Sequence, residues 1–120
     1  MLFRSVTTNL VESANWYRKA ANQNDSLAQT TIGVYYASGI GVAQDYIEAV
    51  NWWRKAAMQG SGDSQNNLGT MYWHGLGVKK DEVEAYAWFN LASKFSIGAK
   101  TNREELEKDR KSTRLNSSHT

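Results

Sequence analysis

The chain contains no cysteine and no proline. Without cysteine there is no disulfide, no thiolate nucleophile and no cysteine-based metal site. Such a chain fits the cytosol but does not exclude the periplasm. Without proline, no helix need be broken by one. Histidine is scarce: His74 and His119 are the only two, and one imidazole with no thiol cannot assemble a zinc site. No metal and no cofactor are therefore expected. No apolar run approaches the ~18–20 residues that span a bilayer, so no membrane insertion is expected. The opening MLFRSVTTNL carries one Arg and no apolar h-region, so it does not read as a signal peptide. Charge of one sign is also in short supply. The formal net charge is +2, and the last twelve residues supply it with Arg110, Lys111 and Arg114 against Asp109. The preceding 108 residues hold 11 basic and 11 acidic groups and are neutral. No electrostatic case for a nucleic-acid partner survives.

Aromatic residues, by contrast, are plentiful, with five Trp and six Tyr to fill a core. They also recur. Residues 16–51 set above 52–87 without a gap share 15 of 36 positions, among them Trp16/Trp52, Gly33/Gly69, Gly39/Gly75, Gly41/Gly77, Asp45/Asp81 and Ala49/Ala85. A third copy begins at Trp88 and fades after Ser93, while Val6, Asn9, Val11 and Glu12 echo the end of an earlier one. A gapless period in this range means stacked supersecondary units.

Each unit reads as two helices. The second starts at Asp45 or Asp81, with Glu48 or Glu84 three residues on in capping-box spacing; Asn9 and Glu12 repeat the pattern. Ala49, Trp52, Trp53 and Ala56 then follow the i, i+3, i+4, i+7 stripe of an amphipathic helix, as do Ala85, Trp88, Phe89 and Ala92. Arg54 and Lys55 fall in the last turns, where cations suit the helix dipole, and are expected to be solvated. The first helix is expected over 26–38 and 63–74. Gly33 and Gly69 lie in its middle at a cost of ~1 kcal/mol each relative to Ala, which predicts a close backbone approach, with Ala56 and Ala57 as the small residues opposite.

The segments SGIGVAQD and HGLGVKKD could suggest a phosphate-cradling loop. Such a loop must follow a strand and open a helix; here it follows a helix and lacks the Gly-Lys-Ser/Thr ending. Gly39 and Gly75 instead stand where a helix C′ residue turns left-handed. Gly41 and Gly77 permit a second turn, and Ile40, Leu76, Val42 and Val78 are expected to tuck beneath it.

The pattern A-Q-x-x-I-G-x-x-Y-x-x-G-I-G-V-x-x-D-Y-x-x-A-x-x-W-W-R-K-A-A resembles the Sel-one-like repeat (SLR) family, a tetratricopeptide-like class, over about residues 6–98. The matching positions are Gly33, Gly39, Gly41, Asp45, Ala49, Trp52 and Ala56, then Gly69, Gly75, Gly77, Asp81, Ala85 and Trp88. Ala43 and Lys79 stand where the family often has Pro, and the Cys pair of some secreted members is absent. The resemblance implies an all-α, right-handed α-α superhelix of antiparallel helix hairpins. It further implies a scaffold or adaptor role with a protein or peptide partner, and a bacterial cytoplasmic or periplasmic setting. Some members have been linked to penicillin binding or β-lactam hydrolysis, but no Ser-x-x-Lys occurs here, and no catalytic residue can be named.

In such a solenoid the face not used for stacking binds partners. On the first helices that row is Thr30, Val34 and Ala37, then Asn66, Thr70 and Trp73. Trp73 has no bulky counterpart in the first copy and is the candidate anchor, unless it packs on the neighbouring hairpin. The organisation expected is the second helix of a truncated earlier repeat over 1–15, repeats over 16–51 and 52–87, and a last second helix with the start of a further helix or cap over 88–108. Residues 109–119, DRKSTRLNSSH, read word for word as the translation of a sequencing-adapter read-through. Residues 109–120 are thus expected to be a non-native tail, disordered or a frayed helix end. The natural protein is expected to be longer and to supply additional repeats.

Overall fold

In a computed structural model of the chain, the backbone is described for residues 2–118 and the side chains for residues 9–113. Met1, His119 and Thr120, and the side chains of Val6 and Arg114, lie outside the described residues. Six helices and no strand are seen among them: α1 (Leu2–Asn22), α2 (Ser26–Ser38), α3 (Tyr46–Met58), α4 (Gly62–His74), α5 (Glu82–Ala92) and α6 (Ile97–Ser118). Each packs chiefly on its neighbours in sequence, the pairs α2–α3 and α4–α5 most extensively. The result is an elongated stack of antiparallel hairpins, 60 × 30 × 23 Å.

Capping fixes the starts. Asp45 accepts hydrogen bonds from the backbone of Ile47 and Glu48, and Asp81 from Val83 and Glu84; each bond satisfies a donor that the first turn leaves orphaned. Asp25 and Ser61 cap α2 and α4 in the same way. Asn9 does not cap: α1 runs through it without a break from Leu2. At the other end, where the sequence predicts a disordered tail or a frayed helix end from residue 109, α6 is helical to Ser118. Along α6, Glu104, Glu105, Glu107 and Lys108 occupy the positions held in α4 by Leu68, Gly69, Met71 and Tyr72. The stripe that seats a second helix on α2 and α4 is therefore charged on α6.

The Gly-x-Gly segments are hinges. Gly39 and Gly75 close α2 and α4 in the left-handed region, at φ 69° and 68°. Gly41 and Gly77 are left-handed too, at φ 66° and 71°. A Cβ on Gly41 would overlap the Leu10 carbonyl of α1, and one on Gly77 the Tyr46 carbonyl of α3. The second glycine thus lets each hinge lie on the preceding second helix. Asp45 N–H donates to Tyr36 O at 2.8 Å and Asp81 N–H to Tyr72 O at 2.9 Å, closing each loop. Leu76 and Val78 pack from the loop against the cluster of Ala49, Val50, Trp53, Ala57, Leu68 and Met71.

The mid-helix glycines do meet a close neighbour, but it is not a small one. The Trp53 indole lies on Gly33 and the Phe89 ring on Gly69. Removing Cβ from the first helix makes the slot that an aromatic of the second helix fills, which explains a helix cost repeated at one register. Trp53 Nε1 also donates to Thr30 O at 3.0 Å.

Candidate interaction surface

The predicted row on α2 and α4 divides in two. Thr30 is engaged: its hydroxyl donates to Ser26 O at 2.9 Å and lies 2.8 Å from Ser64 Oγ and 3.1 Å from Ser61 Oγ. Asn66, one period on, accepts from Asn102 Nδ2 at 2.9 Å. Thr30 and Asn66 therefore stitch each first helix to the next, which a polar side chain at a helix seam does well. Ala37 packs against the α3 cluster. Val34 is exposed, and Thr70 is half-buried with its hydroxyl turned back to Asn66 O.

Trp73 packs within its own hairpin, on α5. Its ring meets Phe89 edge-on at 5.9 Å, beside the cluster of Ala85, Phe89 and Leu106. It remains half-exposed, with His74 stacked on it at 5.2 Å. His74 is the last residue of α4 and exposed. Val34, Thr70 and the outer part of Trp73 are thus the neutral, open portion of the row; Leu106, next in the Val34–Thr70 register, is buried.

Three arrangements escaped sequence reasoning. Arg18 and Arg54 are not simply solvated. Their guanidiniums donate to the hydroxyls of Tyr36 and Tyr72 at 2.8 and 2.9 Å, eighteen residues away in each case. Lys19 and Lys55 lie over the indoles of Trp16 and Trp52, at 4.9 and 4.6 Å. The repeated glutamines form a ladder. Buried Gln29 donates to Ala21 O and Asn24 Oδ1, and its own Oε1 accepts from Gln59 Nε2 at 2.8 Å. The identities Arg18/Arg54, Tyr36/Tyr72 and Gln29/Gln65 were the available signal. Among the described residues no three His, Asp or Glu side chains gather as a metal ion would require, and no helix is long and apolar enough to cross a membrane.

A stack of helix hairpins with a fixed 36-residue advance, glycine hinges and an open row on its first helices defines a helical-repeat protein. The Sel1 repeat profile matches residues 1–25, 26–61 and 62–94, and the chain belongs to that family. The Sel1 repeat protein from Oxalobacter formigenes is similar at 39% identity and a TM-score of 0.77, over 80% of this chain and 28% of that one. The c5321 protective antigen of uropathogenic Escherichia coli, which displays an SLR fold, is 45% identical with a TM-score of 0.69, over 71% and 18%. Helicobacter pylori cysteine rich protein B is 28% identical with a TM-score of 0.68, over 72% and 65%. The chain thus spans less than a third of the length of the first two. No curated protein sequence matches it significantly.

Proposed function

We propose that the chain is a protein–protein interaction scaffold whose first helices, α2 and α4, hold a partner peptide or protein on the concave side of the stack. Val34, Thr70 and Trp73 meet the partner, and Thr30, Asn66 and Ala37 set the spacing beneath. The observation that carries this reading is Trp73: a large ring wedged on Phe89 yet half-exposed beside two neutral residues. Rigid aromatic anchors of this kind dominate binding energy at interfaces. A neutral row suits an extended segment recognised by shape and by hydrogen bonds to Thr70. No reaction is assigned to this face. Further repeats of the same chain, wherever the natural protein carries them, would extend the surface.

The test is a selection of random peptides on the full chain, followed by affinity measurement. Enriched peptides should lose about tenfold or more in affinity for Val34→Glu and Thr70→Glu, at unchanged thermal midpoint. Equal binding of those variants, or no enrichment, would reject the surface.

A further inference from the structure

The connector between α5 and α6 breaks the repeat where the earlier two keep it. In those, Gln23 and Gln59 share one position, and Asp25 and Ser61 are the caps of α2 and α4. One period on from Gln59 and Ser61 stand Phe95 and Ile97. Phe95 has nothing to donate. Gln65, the equivalent of Gln29, is 3% exposed, and its Oε1 has no hydrogen-bond partner. The cap moves to Ser96, whose hydroxyl accepts from Ala99 N–H at 3.3 Å. Both exchanges oppose stability: a buried acceptor loses its donor, and two large apolar side chains go into water. A sequence that breaks its own local rules at one place does so most readily at a functional site.

Phe95 and Ile97 are not alone. Ile97, Met58, Phe95 and Leu27, at 85%, 76%, 75% and 74%, are the most exposed large apolar side chains among the described residues. The antiparallel topology puts all four on the edge where second helices end and first helices begin. Contacts join the connectors: Gln59 reaches Asn24 and Gln29, and Phe95 lies against Gly62. Lys19, Lys55, Lys94 and Lys100 share this edge, against Asp25 and Asp63. The opposite edge also exposes Ile47 and Val83, but there Asp45, Glu48, Asp81, Glu82 and Glu84 outnumber Lys79 and Lys80.

We infer that the connector edge docks on a membrane surface carrying anionic lipid. Phe95 and Ile97 enter the boundary between headgroups and acyl chains, with Met58 and Leu27 beside them, and the lysines lie among the phosphates. Apolar tips with a basic surround fit this interface, where burial and attraction to anionic lipid add. The docking is peripheral, and it leaves the row on α2 and α4 free.

Flotation of the full chain with vesicles of phosphatidylcholine and about one third phosphatidylglycerol tests this. The wild-type chain should float with them and stay behind with neutral vesicles. Phe95→Gln should lower the partition about tenfold. The same variant restores a donor to Gln65, so its midpoint should rise, and lost binding cannot then be lost folding. Lys94→Gln with Lys100→Gln should reduce the partition by about tenfold or more, while Val34→Glu should leave it unchanged. No flotation, equal flotation of Phe95→Gln, or equal association with neutral vesicles would overturn the inference. So would a protein that binds this edge when vesicles do not.

Discussion

Gly33→Ala tests whether the first and second helices interlock as described. In an open helix this change would stabilise by about 1 kcal/mol, because Gly is the poorer helix former. Here the new Cβ would fall within 2.5 Å of Trp53 Cδ1 and 2.9 Å of Cε2. The indole cannot simply swing aside: it is buried, and its Nε1 is bonded to Thr30 O at 3.0 Å. Overpacking of a core costs about 1–3 kcal/mol, and a strained or broken indole bond about 1 kcal/mol more. Against the propensity gain, the expected net loss is about 1–3 kcal/mol, a fall of several degrees in midpoint for a domain of this size. Thermal and urea unfolding followed by circular dichroism would measure it. Gly69→Ala should cost less, because Phe89 has no hydrogen bond to lose. Trp53→Leu combined with Gly33→Ala should be less damaging than the sum of the two. A rise in midpoint for Gly33→Ala would refute the interlock.

Gly77→Ala should cost about 2–4 kcal/mol, from left-handed strain plus the overlap with the Tyr46 carbonyl. Gly60→Ala, also at positive φ but with nothing near its Cβ, should cost only the strain, about 1–2 kcal/mol; equal urea midpoints would contradict the hinge contact. Trp52→Ala should lose about 3–5 kcal/mol and Trp16→Ala under about 1 kcal/mol, since Trp52 is 9% exposed and its equivalent 70%. Comparable losses in unfolding experiments would show that α1 and α2 do not cover Trp52. Phe95→Gln should stabilise by about 1 kcal/mol by giving Gln65 Oε1 its donor, read as a higher midpoint in the same melts.

The helices were legible because their determinants are local. Asp45, Asp81 and the glycines after α2 and α4 set boundaries through capping and positive φ, so α2 begins and ends at the predicted residues and α4 starts one residue early. Asn9 misled because capping-box spacing is necessary for a cap and not sufficient: the chain before it is helical too. The repeat revealed that Gly33 and Gly69 face something close, but not what, since the partner lies twenty residues on and is an aromatic rather than Ala56 or Ala57. The Arg54–Tyr72 and Gln29–Gln59 bonds are likewise long-range, and no local pattern announces them. The candidate row was half legible. Helical spacing put Thr30, Val34, Asn66 and Thr70 on related faces, but only the stacking of α2 on α4 and α4 on α6 separates seam from surface.

Nuclear magnetic resonance of the full chain, titrated with a selected peptide, bears most directly on the scaffold reading. Saturable shifts of the backbone amides of Val34 and Thr70 and of the Trp73 indole N–H are predicted, with the Gly39–Gly41 and Gly75–Gly77 hinges unmoved. Shifts confined to the hinges or to the starts of α3 and α5 would contradict it.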